Sequence, residues 1–347
     1  MSIKISSIQG ISAMSVNPIN RWFRTNPDTD RNPLSFLPHT FQGTVAGYVC
    51  NGYDINKFPF ATDSNATDVG DLSVIRSDTS GQSSEVSGYN SGGFYSPTHH
   101  NVIDKFPFAS NGNATDVGDL TVARWAAVGQ SSNVSGYSSG GYSATPPVPV
   151  RYRTAIDKFP FASNSNATNI GALTVARREA AGQSSDVSGY TSGGRRAPQP
   201  SPAIPHFLVN VIDKFPFATD ANATDIADLT VFPQQQAGQS SDVSGYTSGG
   251  YARTQYPAPT NPITRRNIIE KFPFATNANA TDIADLTVTR SLVSGQSSTL
   301  SGYTSGGLVP GAVASNVIDK FPFATDANAT DVGDLTITLY SSAGQQD

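Results

Sequence analysis

Apolar and polar positions recur along this chain in blocks of roughly fifty residues, built from the same four short runs. Ala180-Ala181-Gly182-Gln183-Ser184-Ser185 is small and mostly polar, and Val187-Ser188-Gly189-Tyr190-Thr191-Ser192 alternates and stops at Gly193-Gly194. Val211-Ile212-Asp213-Lys214-Phe215-Pro216-Phe217 is the most apolar, and a fourth run lies near Ala227-Asp228-Leu229-Thr230-Val231. The lengths and the β-branched and aromatic content predict strands. Thr219-Asp220-Ala221-Asn222-Ala223-Thr224-Asp225, between the third and fourth runs, predicts a turn, because Asp, Asn and Thr side chains bond to nearby backbone. The abundance of Gly, Pro, Ser, Thr and Asn fits many short strands better than helices.

The block is counted from its anchor, Lys-Phe-Pro-Phe-Ala, which begins at Lys57, Lys105, Lys158, Lys214, Lys271 and Lys320, with spacings of 48, 53, 56, 57 and 49 residues. Units of four strands at such a period predict an all-β propeller of six blades. Small residues in the first two strands suit the crowded axis, and Phe and Tyr suit the widening space between blades. The order Gly-Gly, variable loop, Asn316-Val317-Ile318-Asp319-Lys320-Phe321, Thr-Asp turn, Gly333-Asp334-Leu335 resembles the kelch repeat of galactose-oxidase-type propellers over roughly residues 41–347. It departs in lacking the tryptophan usual after the kelch turn. The wording of the repeat also resembles repeat proteins encoded by marine tailed bacteriophages.

The last unit lacks its Ser-Gly-Tyr run, whereas Thr44-Val45-Ala46-Gly47-Tyr48-Val49-Cys50 near the other end reads as a degenerate copy of it. The two ends are therefore expected to complete one blade, with Val45–Cys50 beside Ser341–Gln345, and to leave no free strand edge. Residues 1–40 precede the ring as an arm whose expected anchors are Trp22, Phe23, Phe36 and Leu37. The arm either folds over its own ring or docks elsewhere.

Antiparallel strands put the second-to-third loops and the links between blades on one face. Those segments vary most, and twelve of the fifteen arginines fall in them, among them Arg76, Arg124, Arg177, Arg178 and Arg290. The candidate contact residues there are Arg151, Arg153, Arg195, Arg196, Tyr251, Arg253, Arg265 and Arg266, types that bury much area and donate directed hydrogen bonds. The acidic Thr-Asp turns are expected mostly on the opposite face.

Composition narrows the chemistry. The net charge of −5 argues against a nucleic-acid partner, and no apolar stretch is long enough for a membrane helix. The first residues lack the charged-then-apolar pattern of a signal peptide. The single cysteine, Cys50, excludes an intrachain disulfide. Of the four histidines, His39, His99, His100 and His206, the adjacent pair His99-His100 could bind a metal, but adjacent histidines at a loop tip are more often solvent-exposed, and no nucleophile–base signature appears. The Asp-Ala-Asn-Ala-Thr-Asp turns have alternating oxygens as calcium loops do, yet the third copy reads Asn164-Ser165-Asn166-Ala167-Thr168-Asn169 without a carboxylate, which favours a plain turn. Asn-Ala-Thr also recurs six times as a glycosylation sequon, which repeat copying explains.

The expected protein is non-catalytic and without cofactor or metal: a virion component of a phage, in a tail or head-surface appendage, part of a larger oligomeric assembly. Its arm would attach it, and its variable face would bind other virion proteins or a host-surface glycan or protein. A cellular kelch-like scaffold or carbohydrate-binding propeller is the alternative.

Overall fold

The structure, a computed structural model, describes residues 42–144, 151–197, 207–253 and 264–347. The arm, with Trp22, Phe23, Phe36 and Leu37, lies outside these residues, as do His39 and His206. All regular structure among the described residues is β. Six antiparallel sheets form the blades of a β-propeller. Blade 2 contains Ser80–Ser83, Ser87–Ser91, Val102–Pro107 and Thr115–Asp119, and blade 3 contains Val128–Ser131, Ser135–Ser139, Ala155–Pro160 and Thr168–Ala172. Blade 4 contains Ala181–Ser184, Ser188–Ser192, Val211–Pro216 and Thr224–Asp228. Blade 5 contains Ala237–Ser240, Ser244–Ser248, Ile268–Pro273 and Thr281–Asp285, and blade 6 contains Ser294–Ser297, Ser301–Ser305, Val317–Pro322 and Thr330–Asp334. Lys57, Lys105, Lys158, Lys214, Lys271 and Lys320 each sit once per blade at the same place.

Blade 1 joins segments far apart in sequence. Ala343–Gln346 pairs with Gly47–Cys50, and the run Ala46–Pro59 pairs in turn with Thr67–Arg76. That run folds back on itself near Gly52, whose φ is +65°. The Phe60 N–H donates to the Val45 carbonyl at 3.0 Å, the bond that Phe108 makes to Val86 in blade 2. One run thus fills the second and third strand positions, with the variable loop reduced to a tight turn.

The fourth strand begins earlier than the sequence suggests. In blade 4 it is Thr224–Asp228, not Ala227–Val231, because Thr224 and Asp225 already pair with Lys214 and Asp213 across a bulge after Ile212. The bulge admits one extra residue. Leu229, just beyond the strand, is buried in the core.

That core is six clusters, one at each junction between blades. The tyrosine of Ser-Gly-Tyr packs on both phenylalanines of Lys-Phe-Pro-Phe in the next blade. Tyr190 stacks on Phe274 at 4.7 Å and tilts against Phe272 at 5.6 Å. Tyr137 does the same with Phe217 and Phe215, and Phe60 and Phe58 receive Tyr303 at the junction of blades 6 and 1. The glycine before each tyrosine is required because a Cβ on Gly88 would overlap the Phe106 ring of its own blade.

Polar belts run through the same junctions. Every Gly-Gln glutamine is buried and donates through Nε2 to the tyrosine carbonyl of the next blade: Gln82 to Tyr137, Gln130 to Tyr190, Gln183 to Tyr246, Gln239 to Tyr303, Gln296 to Tyr48 and Gln345 to Tyr89. The circuit closes on itself. Side-chain oxygens of the six sequon asparagines form a second circuit at 3.0 Å, accepting from backbone N–H groups of the preceding blade; Asn222 accepts from Ala172 and Asn65 from Asp334. These asparagines knit blades together, a packing reason for repeating Asn-Ala-Thr. At the axis, a Cβ on Gly129 would overlap the Gly81 carbonyl of blade 2, so the innermost strands approach as closely as backbone allows.

Four of the arginines expected on the variable face are instead interior. Arg76, Arg124, Arg177 and Arg290 are at most 1% exposed and pair with Asp104, Asp157, Asp213 and Asp319 at 2.9, 3.1, 3.1 and 2.7 Å. Each lies at the end of a link between blades, and its side chain turns inward onto the third strand of the blade it leads to. Each also donates to a second-strand carbonyl, as Arg177 does to Thr191. Sequence position located these residues near the face, but a carboxylate in the interior decided their direction.

Candidate functional site

The variable face is built from short ribbons that extend the blades. Arg177–Arg178 pairs with Arg195–Arg196, Phe232–Gln234 with Tyr251–Arg253, and Tyr142–Ser143 with Arg151–Tyr152. Ser77, Trp125 and Ser291 bridge to Phe94, Tyr142 and Leu308 in the same way. The link entering a blade is thereby tied to that blade's own variable loop. These backbone ties hold the loop bases in place.

Across blades 2 to 4 the ribbons bring aromatic side chains into a continuous strip. His99 lies 5.2 Å from Phe94, Phe94 5.9 Å from Trp125, Trp125 5.4 Å from Tyr142, and Tyr142 5.3 Å from Tyr152, all between ring centroids. The Arg178 guanidinium sits over three of these rings, 4.4 Å from Trp125, 4.8 Å from Tyr142 and 5.5 Å from Tyr152. Its Nε is 3.3 Å from Glu179 Oε1. Ring quadrupole and carboxylate both attract the guanidinium, which ties the strip together.

Glu179 belongs to a ring around the axis. Asp78, Ala126, Glu179, Gln235, Leu292 and Ser341 occupy equivalent link positions, each with φ between 52° and 63°. Asp78 N–H donates to Ser341, Ala126 to Asp78, Glu179 to Ala126, Gln235 to Glu179, Leu292 to Gln235 and Ser341 to Leu292, six backbone bonds that return to their start. Left-handed backbone at a non-glycine residue costs about 1 kcal/mol, and the closed circuit offsets it at every step. The polar members are tied together, Gln235 Nε2 lying 3.4 Å from Glu179 Oε2. Burial, with a smaller contribution from Glu179, raises the Asp78 carboxyl to about 6, against opposing contributions from Ser341, Arg178 and Ser77.

Comparison with known proteins adds fold information. No protein-family model matches the sequence, and no curated protein does. The chain is similar to the solved structure of YjhT at 13% identity, with a TM-score of 0.62 over 85% of this chain and 98% of that one. That likeness shows the fold alone.

The contact residues read from sequence fall in three separate blades. Arg151 is exposed and Arg153 half-buried in blade 3. In blade 4, Arg195 lies 5.5 Å over Phe207, and Arg196 is half-buried with its N–H on the Phe207 carbonyl. In blade 5, Arg265 lies 5.8 Å over Tyr251, the Arg266 N–H donates to Gly250, and Arg253 pairs with Phe232 through the backbone. These residues form no single cluster.

The residues that do converge, Phe94, Trp125, Tyr142, Tyr152 and Arg178, were absent from the contact residues read from sequence. Their signal was positional: an aromatic follows the interior arginine in Arg124-Trp125 and follows Gly-Gly in Gly93-Phe94 and Gly141-Tyr142.

Burial raises the Cys50 thiol far above its ordinary value, and its Sγ rests on Gln345 Oε1. Burial lowers His99 and His100. Among the described residues, no three His, Cys, Asp or Glu side chains group as metal ligands do.

Proposed function

We propose that this propeller is a non-catalytic binding protein that works as a virion component of a tailed phage, with the aromatic–guanidinium strip of its variable face as the contact surface. The observation that carries the binding reading is Arg178 over Trp125, Tyr142 and Tyr152. Such a pre-ordered surface of aromatics and arginine loses little conformational entropy on binding. The virion assignment is supported by the resemblance of the repeat to those of phage-encoded proteins. Its partners are then other virion proteins or a host-surface glycan or protein, and the arm is its means of attachment. A cellular kelch-like scaffold or carbohydrate-binding propeller is the competing assignment.

The test uses particles. Peptide mass spectrometry of purified virions detects the chain if the proposal holds. Deleting residues 1–38 leaves a propeller that melts normally but is missing from particles. Trp125→Ala with Tyr142→Ala leaves incorporation intact and weakens the contact made by the variable face. A truncated chain that incorporates normally overturns the attachment role. Particles without the chain overturn the virion assignment.

A further inference from the structure

Blade 3 departs from the repeat at three neighbouring positions. At the outer pair of strands, Ala155 stands opposite Ala172. The corresponding pairs are Val102 with Asp119, Val211 with Asp228, Ile268 with Asp285 and Val317 with Asp334. Asn169 stands opposite Asp157, where blades 2, 4, 5 and 6 have Asp116, Asp225, Asp282 and Asp331. Two carboxylates and a branched side chain are therefore replaced by neutral or smaller groups. At this place lies a cavity of about 330 Å³, lined by Tyr152, Arg153, Thr154, Asn169, Ala172 and Asn222 among others.

Arg153 lines this cavity at the end of the variable loop. Its backbone is fixed: the N–H donates to Gly141 at 2.8 Å and the carbonyl accepts from Arg177 at 3.1 Å. Its Nε and Nη2 are buried and have no acceptor. Buried donors of a cation without an acceptor are costly, so the group is poised for an anionic partner. The equivalent residue is Val209 in blade 4 and Ser315 in blade 6; in blade 5 it is Arg266, in a blade that keeps both Asp282 and Asp285.

The surrounding charges agree. In blade 4 the cation Arg177 has Asp213 and Asp225 around it; in blade 3 Arg124 has Asp157 and a second cation, Arg153. Asp225 and Asp331 favour the charged forms of Arg177 and Arg290, whereas Arg153 opposes that of Arg124 after burial has done so. Blade 3 is the blade in which an interior arginine faces another arginine instead of a second carboxylate.

We infer that the blade 3 cavity binds a small oxyanion through the Arg153 guanidinium, as a free anion or as the carboxylate, sulfate or phosphate group of a larger molecule. Guanidinium groups pair with such oxyanions in directed, charge-assisted hydrogen bonds. The Thr154 hydroxyl adds an uncharged polar group to the lining, and Asn169, whose Nδ2 donates to Asp157 Oδ1 at 3.4 Å, stands where the other blades have a carboxylate. The inference is independent of the virion role and of the aromatic strip, although Tyr152 borders both.

Calorimetric titration of the full chain tests it, using sodium sulfate, sodium phosphate and sodium acetate at constant ionic strength balanced with chloride. At least one oxyanion binds with unit stoichiometry, and Arg153→Gln weakens it by about tenfold or more. The double variant Asn169→Asp with Ala172→Asp restores the carboxylates of the other blades and weakens it at least as much, with the melting temperature preserved. Glucuronate, glucose 6-phosphate and glucose 6-sulfate then separate the sources, since a site for a larger molecule prefers one of these to its inorganic counterpart. Absence of binding by every anion overturns the inference, as does unchanged affinity in Arg153→Gln. If the double variant does not fold, the single substitution decides the matter.

Discussion

Blades 4, 5 and 1 differ at one pair of interior positions. Blade 4 has Arg177 with Asp213, both fully buried. Blade 5 keeps a carboxylate, Glu270, but has Pro233 where the arginine would stand. Blade 1 has lost both charges, with Leu339 and Asn56 in the two places. All three retain the bond to the preceding link, where Asp213 accepts from the Thr174 hydroxyl, Glu270 from Thr230 and Asn56 from Thr336. The acceptor is thus what every blade needs, and the ion pair is an addition to it. Losing both charges leaves no buried charge, only the neutral Asn56 Nδ2 without a partner. Losing only the cation leaves a carboxylate that burial pushes upward in pKa, against the opposing hydrogen bonds of Thr230 and Thr247. This fits the general behaviour of buried pairs, whose desolvation penalty rivals their attraction and whose real cost appears when one partner is removed.

Four substitutions test the comparison. Asp213→Asn should have the largest effect, a loss of about 3–5 kcal/mol by denaturant unfolding, because the Arg177 guanidinium stays buried without its partner. A loss below about 1 kcal/mol would mean that Asp225, which also favours the charged Arg177, suffices alone.

Glu270→Gln should act in the opposite direction and depend on pH. The folded carboxyl holds its proton more tightly than the unfolded chain does, so its penalty is absent below the ordinary value of about 4.3 and grows as pH rises through the folded pKa. The variant should therefore be more stable than the parent at neutral pH and equal to it in acid. A gain that persists unchanged in acid would locate the cause outside this carboxyl.

Arg177→Leu combined with Asp213→Asn copies blade 1 into blade 4 and should fall within about 1 kcal/mol of the parent. The single losses are then strongly non-additive, which a double-mutant cycle measures.

Asp78→Asn removes a second carboxyl that burial raises, this one in the axial ring. Its raised value of about 6 predicts a stabilisation present above pH 6 and lost below about pH 4, visible in melting curves at the two pH values. Asparagine also tolerates left-handed backbone.

The six-blade propeller architecture was legible from sequence because repetition writes it six times over. Each Lys-Phe-Pro-Phe marks a third strand. The variable face was legible only in part. Arg178 and Arg177 are adjacent in sequence and alike in chemistry, yet one lies over Trp125 and the other is sealed against Asp213. Nothing local distinguishes them, because successive residues of an extended segment point to opposite sides. The aromatic strip was missed for a related reason: its members come from three blades, and the ribbons that align them are tertiary pairings.

By itself, then, the sequence determined the strand content, the repeat and the number of blades, since these follow from local pattern and period. The backbone circuit through Asp78, Ala126, Glu179, Gln235, Leu292 and Ser341 was decided only by tertiary structure. Those six residues share no chemistry, and what makes them equivalent is a carbonyl in the neighbouring blade. The same holds for the oxyanion cavity. Ala155, Asn169 and Ala172 are small departures in three parts of one repeat, and they make an opening beside Arg153 only because strand pairing sets them side by side.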